Sequence, residues 1–269
     1  MKDLFSIAGK IAVVTGGSRG IGEMIAAGFL ANGAKVYISS RKADVCDATA
    51  SRLSEQYGGE CISIPADMSG LEGIESLVKQ VSEREDRLDI LVNNAGASWG
   101  APIDEFPESG WDKVMDTNVK SIFFLTQKML PLLRNSATVE DPARVINIGS
   151  IDGIKTPNFD SFSYGASKAA VHHLTRHMAS HLIKEHIIAN AIAPGPYPTW
   201  MLSAGVGFGG EVENADWDQV GKGNPSGRVG TMEDIAGLAI FLSSRAGAFT
   251  VGETITSDGG VVACNSRLS

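Results

Sequence analysis

The feature that most constrains this chain is a steady alternation of two kinds of segment. Short apolar runs rich in Val and Ile, too brief for helices, are each followed by a longer stretch with amphipathic helical spacing. "KIAVVTGG" leads into "IGEMIAAGFLANG", which is stopped by Asn32-Gly33; "AKVYISS" leads into "ADVCDATASRLSEQYGG", and "CISIPAD" into "GIESLVKQVSERE". "LDILVNNAG" runs into a glycine turn, a single long helix is expected from about Ser109 to Arg134, and "ARVINIGS" is the next strand. The segment holding Tyr164 reads as helix to about Glu185, "IIANAIAPG" as the sixth strand, and "MEDIAGLAIFLSS" with "ETITSDGG" as the last helix and strand. This order predicts an α/β fold, a doubly wound parallel sheet of seven strands covered on both faces. The 269 residues carry no repeat, low-complexity tract or linker-like break, so one domain spans 1–269.

Charge and cysteine usage narrow the function classes. The formal net charge is -8 and the Lys and Arg residues are scattered, which argues against a nucleic-acid partner. No uncharged run approaches the ~20 residues of a membrane span, and "MKDLFSIAGK" lacks the apolar core of a signal peptide. Cys46, Cys61 and Cys264 show neither metal-ligand spacing nor an even-numbered framework. A cytoplasmic protein in a reducing compartment is expected. His173, His177 and His181 recur every four residues, but without an H-E-x-x-H motif they read as a helix-surface or subunit-contact stripe. No metal site is expected.

"TGGSRGIG", Thr15 to Gly22, joins the first strand to the first helix. Gly16, Gly20 and Gly22 let the backbone approach a diphosphate while the helix N-terminus offers unpaired N–H groups. The spacing is G-x-x-x-G-x-G, not G-x-G-x-x-G, and a glycine cluster alone also fits a plain tight turn. Past the second strand the sequence reads "SSRK", with Ser40 and Arg41 and no carboxylate. Acid at this place takes a ribose 2′-hydroxyl, whereas Arg favours a 2′-phosphate. Arg41 and Arg19 therefore point to NADP(H), although Arg41 and Lys42 also fit solvated charges at a helix start. Asp67, placed at the end of the third strand with Met68 beside it, is positioned for the adenine amino group or for capping the next helix.

In "SYGASKAA", Tyr164 stands four residues before Lys168. Residues at i and i+4 share a helix face, and a nearby ammonium lowers a phenol's pKa. Such a tyrosine can exchange a proton with an alkoxide near neutrality. Ser150, at the end of the fifth strand, can hydrogen-bond the same oxygen. Each of these residues alone also fits an ordinary helix or turn.

Thr15 to Gly22, Asn93-Asn-Ala-Gly96, Asn118, Ser150, Tyr164-x-x-x-Lys168 and Pro194-Gly195 follow in order, and the chain resembles the short-chain dehydrogenase/reductase family from about Gly9 to Gly260. Within it the chain is most similar to β-ketoacyl (3-oxoacyl) reductases of the rhamnolipid-pathway type. The resemblance implies a Rossmann fold and a catalytic set of Asn118, Ser150, Tyr164 and Lys168, with Asn118 organising a water relay to Lys168. It implies NADP(H) held by Gly16, Ser18, Arg19, Gly20, Ile21 and Gly22 at the phosphates, and by Arg41, Asp67 and Met68 around the adenosine. Asn94, Ala95 and Gly96 would line the ribose, and Tyr164, Lys168, Pro194, Gly195, Tyr197 and Thr199 the nicotinamide. The family usually has Ser-Ser where this chain has Gly149-Ser150; the second serine is the catalytic one.

The stretch 196–230 exceeds an ordinary connection. Trp200, Met201, Leu202, Phe208 and Trp217 among glycines suit a lid over a hydrophobic substrate, with Trp99 adding to the wall. The expected activity is NADPH-dependent reduction of a ketone, a 3-oxoacyl thioester first, or else a sterol, sugar or other hydrophobic carbonyl compound. A catalytically silent NADP(H) sensor would be marked by loss of Ser150, Tyr164 or Lys168, and all three are present. The resemblance also implies a homo-oligomer, dimer or tetramer, built on the helices that carry Asn118 and Tyr164.

Overall fold

In the computed structural model, which describes residues 3–205 and 209–264, the apolar runs become seven strands. These are β1 (Ile11–Thr15), β2 (Lys35–Ser39), β3 (Cys61–Ser63), β4 (Ile90–Asn93), β5 (Ala143–Ile148), β6 (Ile187–Pro194) and β7 (Thr254–Ser257). They form one sheet in the order β3-β2-β1-β4-β5-β6-β7, with every pairing parallel. Side chains alternate across a strand, so Ala12 and Val14 enter one core while Val13 enters the other, and Ile90 and Val92 part from Leu91 in the same way. Both faces are apolar because both are covered.

One face is covered by α1 (Gly20–Ala31), through Ile25, Phe29 and Leu30, and by α9 (Met232–Ser243), through Ile235, Ala239 and Leu242. α2 (Ala43–Tyr57) adds Ala50 and Leu53 and ends on Gly58 in the left-handed conformation. The opposite core takes Ile74 and Leu77 of α3 (Leu71–Ser82), and Leu125 and Met129 of α5 (Ser121–Ser136). Met178 and Leu182 of α6 (Phe162–Leu182) complete it. α9 opens with a capping box between Thr231 and Asp234, an arrangement worth about 1 kcal/mol. Its C-terminal end is held by the buried Arg144 of β5, whose guanidinium donates to the Leu242 and Ser244 carbonyls at 3.1 and 3.0 Å. A cation at that end meets the negative pole of the helix.

Three sequence expectations change. The single helix expected from about Ser109 to Arg134 is α4 (Glu108–Met115), a π-helical turn at Asp116–Lys120, and α5. The Ser121 N–H reaches back to the Asp116 carbonyl, so this turn holds one residue more than its neighbours. The stretch 196–230, expected as one long connection, contains two short helices, α7 (Trp200–Gly205) and α8 (Trp217–Lys222); Phe208 lies outside the described residues. β3 spans three residues only, so Asp67 stands in the loop beyond it rather than at its end.

β1 connects to β2 on one side while β4 lies on its other side. That reversal opens a crevice at the carboxyl ends of β1 and β4, where ligands bind in doubly wound sheets. Among the described residues no helix is long and apolar enough to cross a membrane.

Candidate active site

The crevice floor is the Thr15–Gly22 turn. Gly16 has φ of +64°, and a Cβ at Gly22 would lie 2.3 Å from Asn94 Nδ2 and 2.4 Å from the Gly16 carbonyl oxygen, so both places require glycine. Asn94 Nδ2 donates to the Thr15 and Gly16 carbonyls at 2.8 and 3.2 Å. The Thr15 hydroxyl accepts the backbone N–H groups of both Asn94 and Ala95 at 3.0 Å. Thr15 thus locks the turn onto the end of β4, a role that sequence reasoning left unassigned.

α1 starts after Arg19 with no side-chain cap, so its first N–H groups and positive pole face the crevice, as an anion site requires. Ser18 is buried, its carbonyl accepting from the Thr49 hydroxyl at 3.2 Å, and Ile21 packs on the first core. Arg19 and Arg41 are exposed at the rim. A tight turn, an uncapped helix start and two exposed arginines without a carboxylate at 40 or 41 fit a dinucleotide bearing an extra phosphate. Asp67 is exposed and its carboxylate accepts the Ser69 N–H at 3.0 Å, while α3 is capped by Gly70, so Asp67 does not cap that helix. Met68 is buried beside it.

Ser150, Tyr164 and Lys168 converge at the carboxyl end of β5. Lys168 is 4% exposed; its ammonium donates to the Ile148 carbonyl at 2.8 Å and lies 5.4 Å from the centroid of the Tyr164 ring. The Ser150 hydroxyl accepts the Asp152 N–H at 3.1 Å, leaving its own proton for another acceptor. Electrostatics here correct the sequence expectation. Tyr164 is pushed up to about 12, mainly by burial, with the Asp152 carboxylate adding to the rise and hydrogen bonding from Ser150 opposing it. Lys168 is lowered to about 8, again by burial, against the pull of Asp152. Desolvation dominates both shifts, since each charged form is costly to bury, and the ammonium is anchored on a carbonyl.

Asn118 sits in the π turn with no exposure; such turns gather at functional sites. Its Oδ1 accepts the Ala97 N–H at 2.8 Å, and its Nδ2 donates to the Ala97 carbonyl and the Ser167 hydroxyl, both at 2.9 Å. The amide braces the β4 exit against α6. Gly96 faces both groups, its virtual Cβ 3.4 Å from Asn118 Oδ1 and 3.8 Å from Lys168 Nζ. Beneath the trio runs a buried ladder that sequence reasoning missed. Asn93 donates to Thr126 and Asn147 at 3.1 and 2.8 Å, and Asn147 to Thr175 at 2.9 Å, tying α5, β4, β5 and α6 together.

Pro194 ends β6, and the Gly195 N–H donates to the Ser257 carbonyl at 3.0 Å. The Tyr197 side chain turns inward, its hydroxyl 2.6 Å from that of Ser257, and anchors the start of the stretch after β6. The Thr199 hydroxyl accepts the Leu202 N–H at 3.2 Å, and its methyl carbon lies 3.2 Å from a virtual Cβ on Gly20. Trp200 covers the Arg19 guanidinium at 5.1 Å, so the start of α7 rests on the glycine turn. Trp99 packs on Gly110 of α4, under the Lys113 ammonium at 5.4 Å. His177 and His181 lie ring to ring at 5.1 Å, and among the described residues no group of side chains could hold a metal ion.

Crevice, glycine turn and Ser–Tyr–Lys trio together define a dinucleotide-dependent oxidoreductase. A family model described as enoyl-(acyl carrier protein) reductase matches residues 16–262. The rhamnolipids biosynthesis 3-oxoacyl-[acyl-carrier-protein] reductase of Pseudomonas aeruginosa is 50% identical over 260 residues, covering 97% of this chain and 99% of that one. The gluconate 5-dehydrogenase of Gluconobacter oxydans is 35% identical, over 96% and 97% of the two chains. Among solved structures, the Pseudomonas aeruginosa RhlG/NADP active-site complex superposes with a TM-score of 0.89 at 49% identity, covering 97% and 99%. L-sorbose reductase from Gluconobacter frateurii, complexed with NADPH and L-sorbose, gives 0.86 at 28% identity, covering 97% and 100%. The chain belongs to the short-chain dehydrogenase/reductase family.

Proposed function

We propose that this protein reduces a ketone to a secondary alcohol with NADPH, and that the ketone is a 3-oxoacyl thioester. The observation that carries the reaction type is the convergence of the Tyr164 ring, the Lys168 ammonium 5.4 Å from its centroid and the Ser150 hydroxyl bonded to Tyr164 at the end of β5. NADPH, when bound, supplies the hydride for the carbonyl carbon. Gly16, Gly20 and Gly22 let the α1 N-terminus approach its diphosphate, with Ser18 and Ile21 shaping the turn. Arg19 and Arg41 take the 2′-phosphate, and Met68 and the Asp67 loop flank the adenine. Asn94, Ala95 and Gly96 border the ribose, and Pro194, Gly195, Tyr197 and Thr199 border the nicotinamide.

The Ser150 hydroxyl donates to the substrate carbonyl and holds it beside Tyr164. A phenol near 12 remains protonated at neutral pH and is a competent donor to a developing alkoxide, a much stronger base. Lys168, still largely an ammonium at pH 7, stabilises the phenolate left behind. Both Nδ2 protons of Asn118 are engaged and its Oδ1 accepts the Ala97 N–H, so its side chain acts as a strut, and a part in a water relay is assigned to its backbone carbonyl. The 3-oxoacyl assignment is supported by the Pseudomonas relative and by the apolar Trp200, Met201 and Leu202 at the lid start. A polyhydroxy ketone is the second reading, favoured by the Asp152 carboxylate beside Tyr164 and Lys168, which can accept from substrate hydroxyls.

A homo-oligomer is part of the proposal. Ile103, Trp111 and Phe162 are exposed around Phe106 on α4, α6 and the turn before α4, a face suited to a second copy. Free thiols at Cys46, Cys61 and Cys264 suit a reducing, cytoplasmic setting. The test is NADPH consumption by purified protein against a 3-oxoacyl thioester, L-sorbose and 5-ketogluconate. Turnover of the thioester at least about tenfold above both sugars in kcat/KM supports the assignment. The reverse order moves the substrate to the second reading, and no consumption with any ketone rejects the reaction type.

A further inference from the structure

Three side chains share one face of α6 at successive helical turns: Tyr164, Lys168 and His172. The first two belong to the trio, and the third is 5% exposed and has no role so far. Its ring fits between two glycines at the end of β5. A Cβ on Gly149 would lie 2.2 Å from His172 Nε2, and one on Gly153 would lie 2.8 Å from Cε1. Nε2 accepts the Ser150 backbone N–H at 3.5 Å, and the ring packs against the Gly153 backbone. The imidazole therefore grips the chain immediately before and shortly after the Ser150 side chain.

We propose that His172 is a positioning residue for the reaction: its imidazole fixes the backbone on both sides of Ser150 and so sets the aim of the Ser150 hydroxyl. The Ser150 bond fixes the tautomer, since an accepting Nε2 leaves the proton on Nδ1. Burial lowers the ring's pKa to about 4, with Lys168 and Arg176 adding to the fall, so the accepting nitrogen stays unprotonated at neutral pH. The absence of a side chain at Gly149 is the complement of this ring. A residue there would push the imidazole off the Ser150 N–H, whatever its own chemistry.

The inference rests on the reading of Ser150 as the residue that binds the carbonyl, and the experiment separates the two. Ketone turnover and NADPH binding are measured for the full chain carrying Ser150→Ala, His172→Leu, His172→Gln, His172→Ala, Gly149→Ala and Gly149→Ala with His172→Ala. His172→Leu keeps the volume but loses the bond to the Ser150 N–H, and a net hydrogen bond is worth about tenfold. Its kcat should fall at least about tenfold while KM for the ketone and Kd for NADPH stay within about threefold. His172→Gln, with an acceptor and a donor on a similar stem, should recover to within about threefold of the parent. Gly149→Ala should cost at least about tenfold in the parent but less than about threefold beside His172→Ala, because contacting residues are non-additive.

A Ser150→Ala protein that retains turnover overturns the reading of Ser150. If that variant is inactive while His172→Leu matches the parent, or if His172→Gln falls as far as His172→Leu, the positioning role is overturned. Should His172→Leu fail to fold, the glycine pair decides, and an equal cost of Gly149→Ala in both backgrounds overturns the interlock.

Discussion

Replacing Lys168 by Met should make the protein more stable and inactive at once. Lys168 is 4% exposed, and burial lowers its pKa from 10.5 to about 8. At neutral pH the folded chain therefore carries a charge it would rather lose. A shift of that size is worth about 3 kcal/mol. Met keeps most of the volume but leaves the Ile148 carbonyl, now bonded at 2.8 Å, without its donor, which costs about 1–2 kcal/mol. The net expectation at pH 7 is a gain of about 1–2 kcal/mol, read by urea denaturation without added dinucleotide. The sign with pH follows from linkage. Between about pH 8 and 10.5 the unfolded chain binds the lysine proton more tightly than the folded one, so stability rises with pH there. The parent should therefore gain about 2 kcal/mol relative to Lys168→Met on going from pH 7 to about 9.5. A stability difference that stays the same at the two pH values, or a variant less stable by several kcal/mol at pH 7, refutes a desolvated ammonium at this position.

Three other perturbations are directed at separate parts of the site. Asp152→Asn removes a carboxylate that raises Tyr164, so in alcohol oxidation with NADP+ the rising limb of the pH–rate profile should move to lower pH; an unmoved limb contradicts that coupling. Arg41→Ala should raise KM for NADPH by about 10–100-fold, the worth of a charge-assisted contact, and leave KM for NADH unchanged; an equal change for both cofactors places Arg41 away from the 2′-phosphate. Gly22→Ala sets a methyl 2.3 Å from Asn94 Nδ2 and should lower stability by about 1–3 kcal/mol and weaken NADPH binding, seen in a thermal melt with and without NADPH.

How much of this was legible in the sequence depended on how local each feature is. All seven strands could be read because a fully buried parallel strand is a run of apolar, β-branched residues whichever way its neighbours lie. Ser150, Tyr164 and Lys168 could be read because two of them share a helix face through spacing alone. The π turn around Asn118 was hidden, since one inserted residue shifts the phase of an amphipathic helix without breaking its apolar pattern. α7 and α8 were hidden by glycines that dilute helical propensity. The titration of Tyr164 was misjudged because spacing reports the nearby ammonium and says nothing about tertiary burial. His172 escaped notice while His173, His177 and His181 drew it by their regular spacing. The one available signal was Gly149, a glycine before Ser150 where the family usually has a serine, and its meaning emerges only when β5 and α6 are packed together.

Proton delivery by Tyr164 is tested most directly by Tyr164→Phe, which removes one oxygen and keeps the ring. NADPH binding is followed by fluorescence and ketone reduction by single-turnover absorbance under saturating ketone. The expected result is NADPH affinity within about threefold of the parent and a hydride-transfer rate lower by at least about a thousandfold. A Phe variant that transfers hydride within about tenfold of the parent rate contradicts the assignment of Tyr164 as the proton donor.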